Sequence, residues 1–271
     1  MLTGKKLAVV GVGTLGEALV SGLLRRGDLV TGDVAGSVRH EASLARVRER
    51  LGIDASLDNR EVVRGRDVVL LAVKPQNVDG VLREIADVVG PSQLVVSVAA
   101  SVTTGFIEAR LTGAVPVVRA MPNTPCLVNA GMTALAGGSH AGTEHLGIAE
   151  AVFRSVGEVV FLEEALMDAV TALSASGPAY FYVVVESLAE AGVKLGIPRS
   201  TSTFLAAQTM LGSARMLLES KAHPALLKDT VTTPAGCTID GLMELEDGKL
   251  RVTLIKAVVR AAERAGQLVQ G

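Results

Sequence analysis

A short apolar run, Lys6–Val10, ends in Gly11-Val12-Gly13-Thr14-Leu15-Gly16 and leads straight into an amphipathic segment. Three glycines at this spacing demand a strand, a tight bend and a helix packed closely against the strand. The first glycine permits the bend, the second lets backbone come close to a pyrophosphate, and the third removes a side chain where helix meets strand. On the turn alone two readings stay open. Gly11, Val12, Gly13, Thr14, Leu15 and Gly16 form a dinucleotide site, or they form a strand-to-helix bend with no ligand.

The pattern downstream favours the first reading. Residues 5–163 alternate Val/Ile/Leu runs with amphipathic stretches, as in a parallel sheet flanked by helices. Strands are expected over Lys6–Val10, Val34–Val38, Val68–Val73, Leu94–Val98, Val115–Arg119, Thr133–Ala136 and Gly157–Leu162, with helices over 14–24 and Ala42–Leu51. After Glu163 the strand signals stop. Ser176-Gly177-Pro178 reads as an N-cap with proline in the first turn, opening a helix that runs to about Leu195. Phe204, Ala207, Leu211, Ala214 and Leu218 then mark one apolar face of a long helix, and Val252, Ile255, Val259 and Ala262 mark another. The expected division is therefore 1–163 for an α/β domain and 164–271 for a helical one.

Composition narrows the function classes. Hydrophobic residues make up 49% and charged residues 20%, enough for a large core, but aromatics are only 3%, so Val, Leu, Ala and Ile must fill it. A net charge of −2 gives no basic surface for nucleic acid. The uncharged windows Ala120–Ser139 and Ala169–Val185 are broken by Pro, Gly, Asn and Ser, so no membrane span is expected. The N-terminus shows no signal-peptide pattern, and Cys126 and Cys237 make no disulfide or metal framework. A soluble, cytoplasmic protein is expected. His40, His140, His145 and His223 lack metal-ligand spacing, so no metal is expected.

The second strand should decide between nicotinamide cofactors, because an acid at its tip binds the ribose hydroxyl and repels a 2′-phosphate. Asp33 precedes that strand; beyond it stand Ser37, Arg39 and His40. A guanidinium at Arg39 suits the extra phosphate, although a solvated surface arginine reads the same on charge pattern. NADP(H) is the preferred cofactor, with NAD(H) as the alternative. Ala72-Val73-Lys74-Pro75 and Ser97-Val98-Ala99-Ala100-Ser101 lie at strand ends, where open parallel sheets bind ligands, and the proline is expected to end its strand and send the loop across the cleft. Near the other end of the chain, Thr233-Pro234-Ala235-Gly236-Cys237-Thr238 opens into a helix-periodic segment. Backbone N–H groups at such a helix start receive a carboxylate.

These segments together resemble the pyrroline-5-carboxylate reductases. The likeness is carried by Gly11–Gly16, Ala72–Pro75, Arg119-Ala-Met-Pro-Asn-Thr-Pro125, Ser176-Gly-Pro-Ala-Tyr180, Ala206-Ala-Gln-Thr-Met210, His223-Pro224 and Asp229–Glu246, in family order over nearly the whole chain. The resemblance implies a Rossmann-like, doubly wound N-terminal domain and an all-helical C-terminal dimerisation domain. It implies a homodimer, with larger rings such as a decamer of five dimers, and reduction of pyrroline-5-carboxylate to proline by hydride from NAD(P)H. The cofactor set it implies adds Asn59 to Gly11–Gly16, Ser37, Arg39, Ala72, Val73, Lys74, Pro75, Ala99 and Ala100. It also implies that Thr238 is the catalytic residue, hydrogen-bonded to the ring nitrogen. The N–H groups of Gly236, Cys237 and Thr238, with the Thr233 hydroxyl, would hold the substrate carboxylate.

Two departures from the family pattern matter. Family members carry glycine where this chain has Ala235, and a glycine-containing form is more common at Ser174-Ala175-Ser176. An alanine is strained if position 235 needs a positive φ. Thr238 also reads as a plain N-cap, and Cys237 as a small packing residue. Three rivals remain: a β-hydroxyacid dehydrogenase with Lys194 as its lysine, a non-catalytic NADP-binding relative, and a reductase of another cyclic imine.

Overall fold

A computed structural model describes residues 2–267. Its compact units are residues 2–176 with 261–267, and residues 177–260.

The first unit is built on one eight-stranded sheet: β1 (Leu7–Val10), β2 (Val34–Ser37), β3 (Asp54–Ser56), β4 (Val68–Leu71), β5 (Leu94–Ser97), β6 (Val117–Met121), β7 (Gly131–Gly137) and β8 (Gly157–Phe161). The strand order is β3-β2-β1-β4-β5-β6-β7-β8. β1 sits between β2 and β4, so the winding reverses beside it, and that reversal is where doubly wound sheets open a crevice. Its helices are α1 (Thr14–Arg26), α2 (Glu41–Leu51), α3 (Asn59–Val63), α4 (Pro75–Ile85), α5 (Thr104–Glu108), α6 (Thr143–Phe153) and α7 (Met167–Val170).

Both faces of the sheet are covered. Leu7 and Val9 of β1 pack into one apolar cluster, while Ala8 and Val10 pack into another. All four are buried, which explains why these strands read as unbroken apolar runs instead of alternating ones. β7 runs antiparallel to β6. The connection over 122–130 is too short for the crossover that a parallel neighbour needs. β3 has only three residues and no apolar run, and the sequence pattern did not reveal it.

Glu164 and Asp168 follow the last strand and remain part of this unit. The buried Arg119 of β6 lies 3.6 Å from Glu164 and 3.5 Å from Asp168. Glu164 also accepts from the Thr104 N–H at 2.7 Å and its hydroxyl at 2.6 Å. From α7 the backbone widens into a π turn, Thr171–Ala175. Ser176 does not cap the next helix as expected: its backbone is already helical, because the π turn leads directly into α8.

The second unit comprises α8 (Gly177–Lys194), α9 (Arg199–Ser220), α10 (Pro224–Thr230), α11 (Cys237–Asp247) and the first part of α12 (Leu250–Gln267). These helices bury little of one another. Phe204, Leu211 and Leu218 are 67%, 53% and 75% exposed, so the expected apolar face of α9 is open. Ile255 and Val259 of α12 are exposed as well. A cavity of about 590 Å³ lined by Phe181, Leu188, Met210, Leu217 and Leu227 continues this apolar surface. No helix among the described residues is long and apolar enough to cross a membrane.

Candidate active site

In the first unit the glycine turn has the geometry its spacing demands. Gly11 has φ +88°, and a Cβ there would stand 2.6 Å from the Val73 side chain and 3.3 Å from the Ala72 carbonyl. At Gly16 a Cβ would meet Val9 at 3.3 Å, so this glycine sets the approach of α1 to β1. Gly13 faces open space and is the N-cap of α1, with no side chain capping the first turn. The N–H groups of Thr14, Leu15 and Gly16 at that helix start suit an anion. Val12 is buried, its side chain packed where a Cβ on Gly36 would lie.

Beside this turn the ends of β1, β2 and β4 enclose a cavity of about 440 Å³. Gly11, Ser37, Arg39, Asn59 and Val73 line it together with Gln76, Asn77 and Glu84. A hydrogen-bonded chain runs along the wall. Ser37 Oγ accepts the Gly11 N–H at 3.1 Å and donates to Asn59 Oδ1 at 2.6 Å, and Asn59 Nδ2 donates to Glu84 Oε2 at 2.8 Å. Asp58 places Asn59 by capping α3, accepting from Arg60 and Glu61 N–H. Arg39 is exposed and has no ion-pair partner among the described residues. Asp33 belongs to a 3-10 turn before β2, where it accepts the Val30 N–H at 3.1 Å, at the wrong end of the strand for a ribose.

The remaining cofactor candidates do not line this cavity. Ala72 continues from β4, its N–H bonded to the Val10 carbonyl at 2.9 Å. Lys74 is the N-cap of α4 and Pro75 its first residue. The expected loop across the cleft is therefore absent: β4 ends at Leu71 and Pro75 opens a helix, a position that suits its missing N–H. Ala99 is buried and Ala100 half-buried beyond the end of β5.

Asn123 follows β6, inside the Met-Pro-Asn-Thr-Pro segment. It accepts the Met132 N–H at 2.9 Å and donates to the Ser174 carbonyl and hydroxyl at 3.4 Å. This fastening of the π turn was visible in the sequence only as a motif without a role.

In the second unit, Thr233-Pro234-Ala235-Gly236 is a turn closed by the Gly236 N–H on the Thr233 carbonyl at 3.0 Å. Proline second and a positive φ third, +55° at Ala235, are the pattern of a type II turn. A Cβ on Gly236 would collide with the Thr233 hydroxyl. α11 begins at Cys237 with Gly236 as N-cap, two residues earlier than expected, so Thr238 lies in the first turn and is not the cap. Because the Gly236 N–H closes the turn, the donors left at the helix start are those of Cys237, Thr238 and Ile239. Cys237 and Thr233 are exposed and Thr238 is half-buried.

A doubly wound sheet with an open glycine turn at its switch point defines the class: a dinucleotide-binding protein of Rossmann-like fold. Residues 164–268 match the family model described as pyrroline-5-carboxylate reductase dimerisation, and residues 6–101 match one described as NADP oxidoreductase, coenzyme F420-dependent. A pyrroline-5-carboxylate reductase of Methanosarcina acetivorans is 40% identical over 267 residues, covering 98% of this chain and 99% of that one. A pyrroline-5-carboxylate reductase structure from Coxiella burnetii superposes with a TM-score of 0.92 at 37% identity, over 97% of this chain and 98% of that one. A Plasmodium falciparum pyrroline carboxylate reductase with NADP bound gives 0.87 at 30% identity, over 98% of both chains. The chain belongs to the pyrroline-5-carboxylate reductase family.

Proposed function

We propose that this protein reduces pyrroline-5-carboxylate to proline with NADPH, the last step of proline biosynthesis. The observation that carries this is full-length likeness to pyrroline-5-carboxylate reductases in a chain with both an open glycine turn and a glycine-capped helix start. The residues fit a dinucleotide: Gly13 leaves space for a pyrophosphate beside the uncapped start of α1, and the cavity of Ser37, Arg39 and Asn59 offers polar contacts for a phosphorylated ribose. Gly11, Val12, Gly13, Thr14, Leu15 and Gly16 form the turn, with Ala72, Val73, Lys74, Pro75, Ala99 and Ala100 along the same strand ends. When bound, NADPH supplies the hydride that reduces the ring C=N bond. The absence of an acid at the tip of β2 and the unpaired Arg39 favour NADPH over NADH.

The protein's own part is to bind and orient the substrate. The first-turn N–H groups of Cys237 and Thr238, aided by the Thr233 hydroxyl and the helix dipole, hold the substrate carboxylate. Gly236 lets the Thr233 hydroxyl fold close beneath them. Thr238 Oγ1 is the hydrogen-bonding partner for the ring nitrogen, and the proton that nitrogen carries after the double bond is lost comes from solvent.

The division of labour is 1–163 for cofactor and 164–271 for dimerisation and substrate, supported by the span of the dimerisation match. A homodimer accounts for the open apolar faces of α8, α9 and α12, since exposed surface of this kind mark an interface. Five such dimers form a decamer. Cys126 and Cys237 are both free thiols, in keeping with a reducing compartment such as the cytoplasm.

The test is loss of NADPH absorbance with pyrroline-5-carboxylate, run beside NADH and a six-membered cyclic imine. Turnover with the five-membered ring supports the reading. NADPH binding without turnover on it refutes it.

A further inference from the structure

We infer that Glu84 of α4 is a determinant of cofactor selectivity, opposing a 2′-phosphate and favouring a free ribose hydroxyl. The inference rests on reading the cavity beside the glycine turn as the adenosine end of the cofactor site. Among the residues lining that cavity, Arg39 is the one cation and Glu84 the one anion. Dinucleotide sites that choose NADH place a carboxylate where it accepts from the ribose and repels a phosphate. Here no acid follows β2, but Glu84 reaches the same cavity from α4 and opposes the charge of Arg39.

Glu84 also sets the polarity of the hydrogen-bonded chain. An ionised carboxylate only accepts, so it turns Asn59 Nδ2 toward itself at 2.8 Å. That points Asn59 Oδ1 at Ser37, whose hydroxyl must then donate to it at 2.6 Å. Ser37 Oγ in turn accepts from the Gly11 N–H. The Ser37 proton is therefore committed within the chain and is unavailable to a phosphate. A glutamine at position 84 removes the negative charge and can itself donate. Asn59 can then reverse its amide, offer Nδ2 to Ser37 Oγ, and release the serine proton toward an anionic ligand.

The test compares binding of 2′,5′-ADP with that of ADP, by calorimetry on the intact protein, for wild type, Glu84→Gln and Arg39→Ala. Glu84 and Arg39 are exposed side chains, so both variants are expected to fold, and thermal unfolding checks that they do. In Glu84→Gln the preference for 2′,5′-ADP should rise about three- to tenfold, the range of a screened surface charge acting on a nearly dianionic phosphate. In Arg39→Ala it should fall. Raising the salt to about 1 M should remove the share of the Glu84 effect that comes from charge repulsion and leave the share carried by the reversed hydrogen bonds, whereas a purely structural role would show no salt dependence. An unchanged ratio, or equal shifts for both ligands, overturns the role of Glu84. Failure of wild type to bind either ligand overturns the cofactor reading itself, and this proposal with it.

Discussion

Ala235→Gly should stabilise this protein, an unusual direction for a substitution that removes a methyl group. Ala235 has φ +55°, in the third position of the turn that precedes α11. An L-residue with a Cβ pays about 1–2 kcal/mol in that conformation. Glycine adopts it freely but returns about 0.4–1 kcal/mol through the larger entropy of its unfolded chain. The balance is about 0.5–1 kcal/mol in favour of glycine, which at ~2–4 °C per kcal/mol is a rise in Tm of about 1–4 °C. Ala235→Val should move the other way by about 1–2 kcal/mol, because a β-branched residue tolerates positive φ poorly. Thermal and urea unfolding must be compared at one protein concentration, since the apparent stability of a chain with a dimerisation domain depends on it. The turn leads directly into Cys237 and Thr238, so the glycine variant should also lower KM for the substrate. Equal stability of all three proteins would refute the reasoning, because it would mean that residue 235 does not hold a positive φ in solution.

Thr238→Ala should lower kcat about tenfold or more, the scale of one lost transition-state hydrogen bond, while Thr238→Ser retains most of it; unchanged kinetics would remove Thr238 from the reaction. A disulfide reagent at pH 8 should label Cys237 quickly and Cys126 only after unfolding, because burial pushes the Cys126 thiol above its usual value of 9.0 whereas Cys237 is exposed; mass spectrometry of the labelled peptides decides this. Proline bound at the start of α11 should slow labelling of Cys237. The Arg110 side chain holds the Asp79 carboxyl below its usual 3.8, and Arg60 does the same for Asp87. Depressed carboxyls contribute stability above their unfolded value and lose it as pH falls through the folded one, so Asp79→Asn and Asp87→Asn should flatten the acid limb of a stability–pH curve below about pH 4.

The centre of the sheet was legible because β1, β4 and β5 are buried on both faces and therefore read as plain apolar runs between amphipathic ones. β3 was not, since Asp54–Ser56 is a polar-edged strand of three residues fixed by its pairing with β2. The direction of β7 depends on the length of one connection, which apolar patterning does not report. At the glycine turn, spacing alone foretold the contacts of Gly11 and Gly16. Asp33 was correctly set aside by position, and the condition placed on Ala235 was met by its φ. Glu84 left no signal: an exposed glutamate in the last turn of a helix looks like any other, and only folding brings it to Asn59. The helix start at Cys237 was displaced by two residues because glycine, with no side chain to cap, is a quiet N-cap in a sequence.

The first unit draws on both ends of the described chain, and that has a consequence for how it is made. Its last strand ends at Phe161, but Ser101, buried with φ +62°, donates its hydroxyl to the Ala265 carbonyl at 3.2 Å, and Gly266 lies against Asp168. About 100 residues (265 − 161 = 104) separate these points, which a ribosome needs roughly 5–20 s to translate. Throughout that interval every strand of the sheet has been made while the carbonyl that receives the Ser101 hydroxyl has not yet been synthesised. The nascent domain waits with Ser101 unlatched, and a premature stop before Ala265 would release the sheet without that latch.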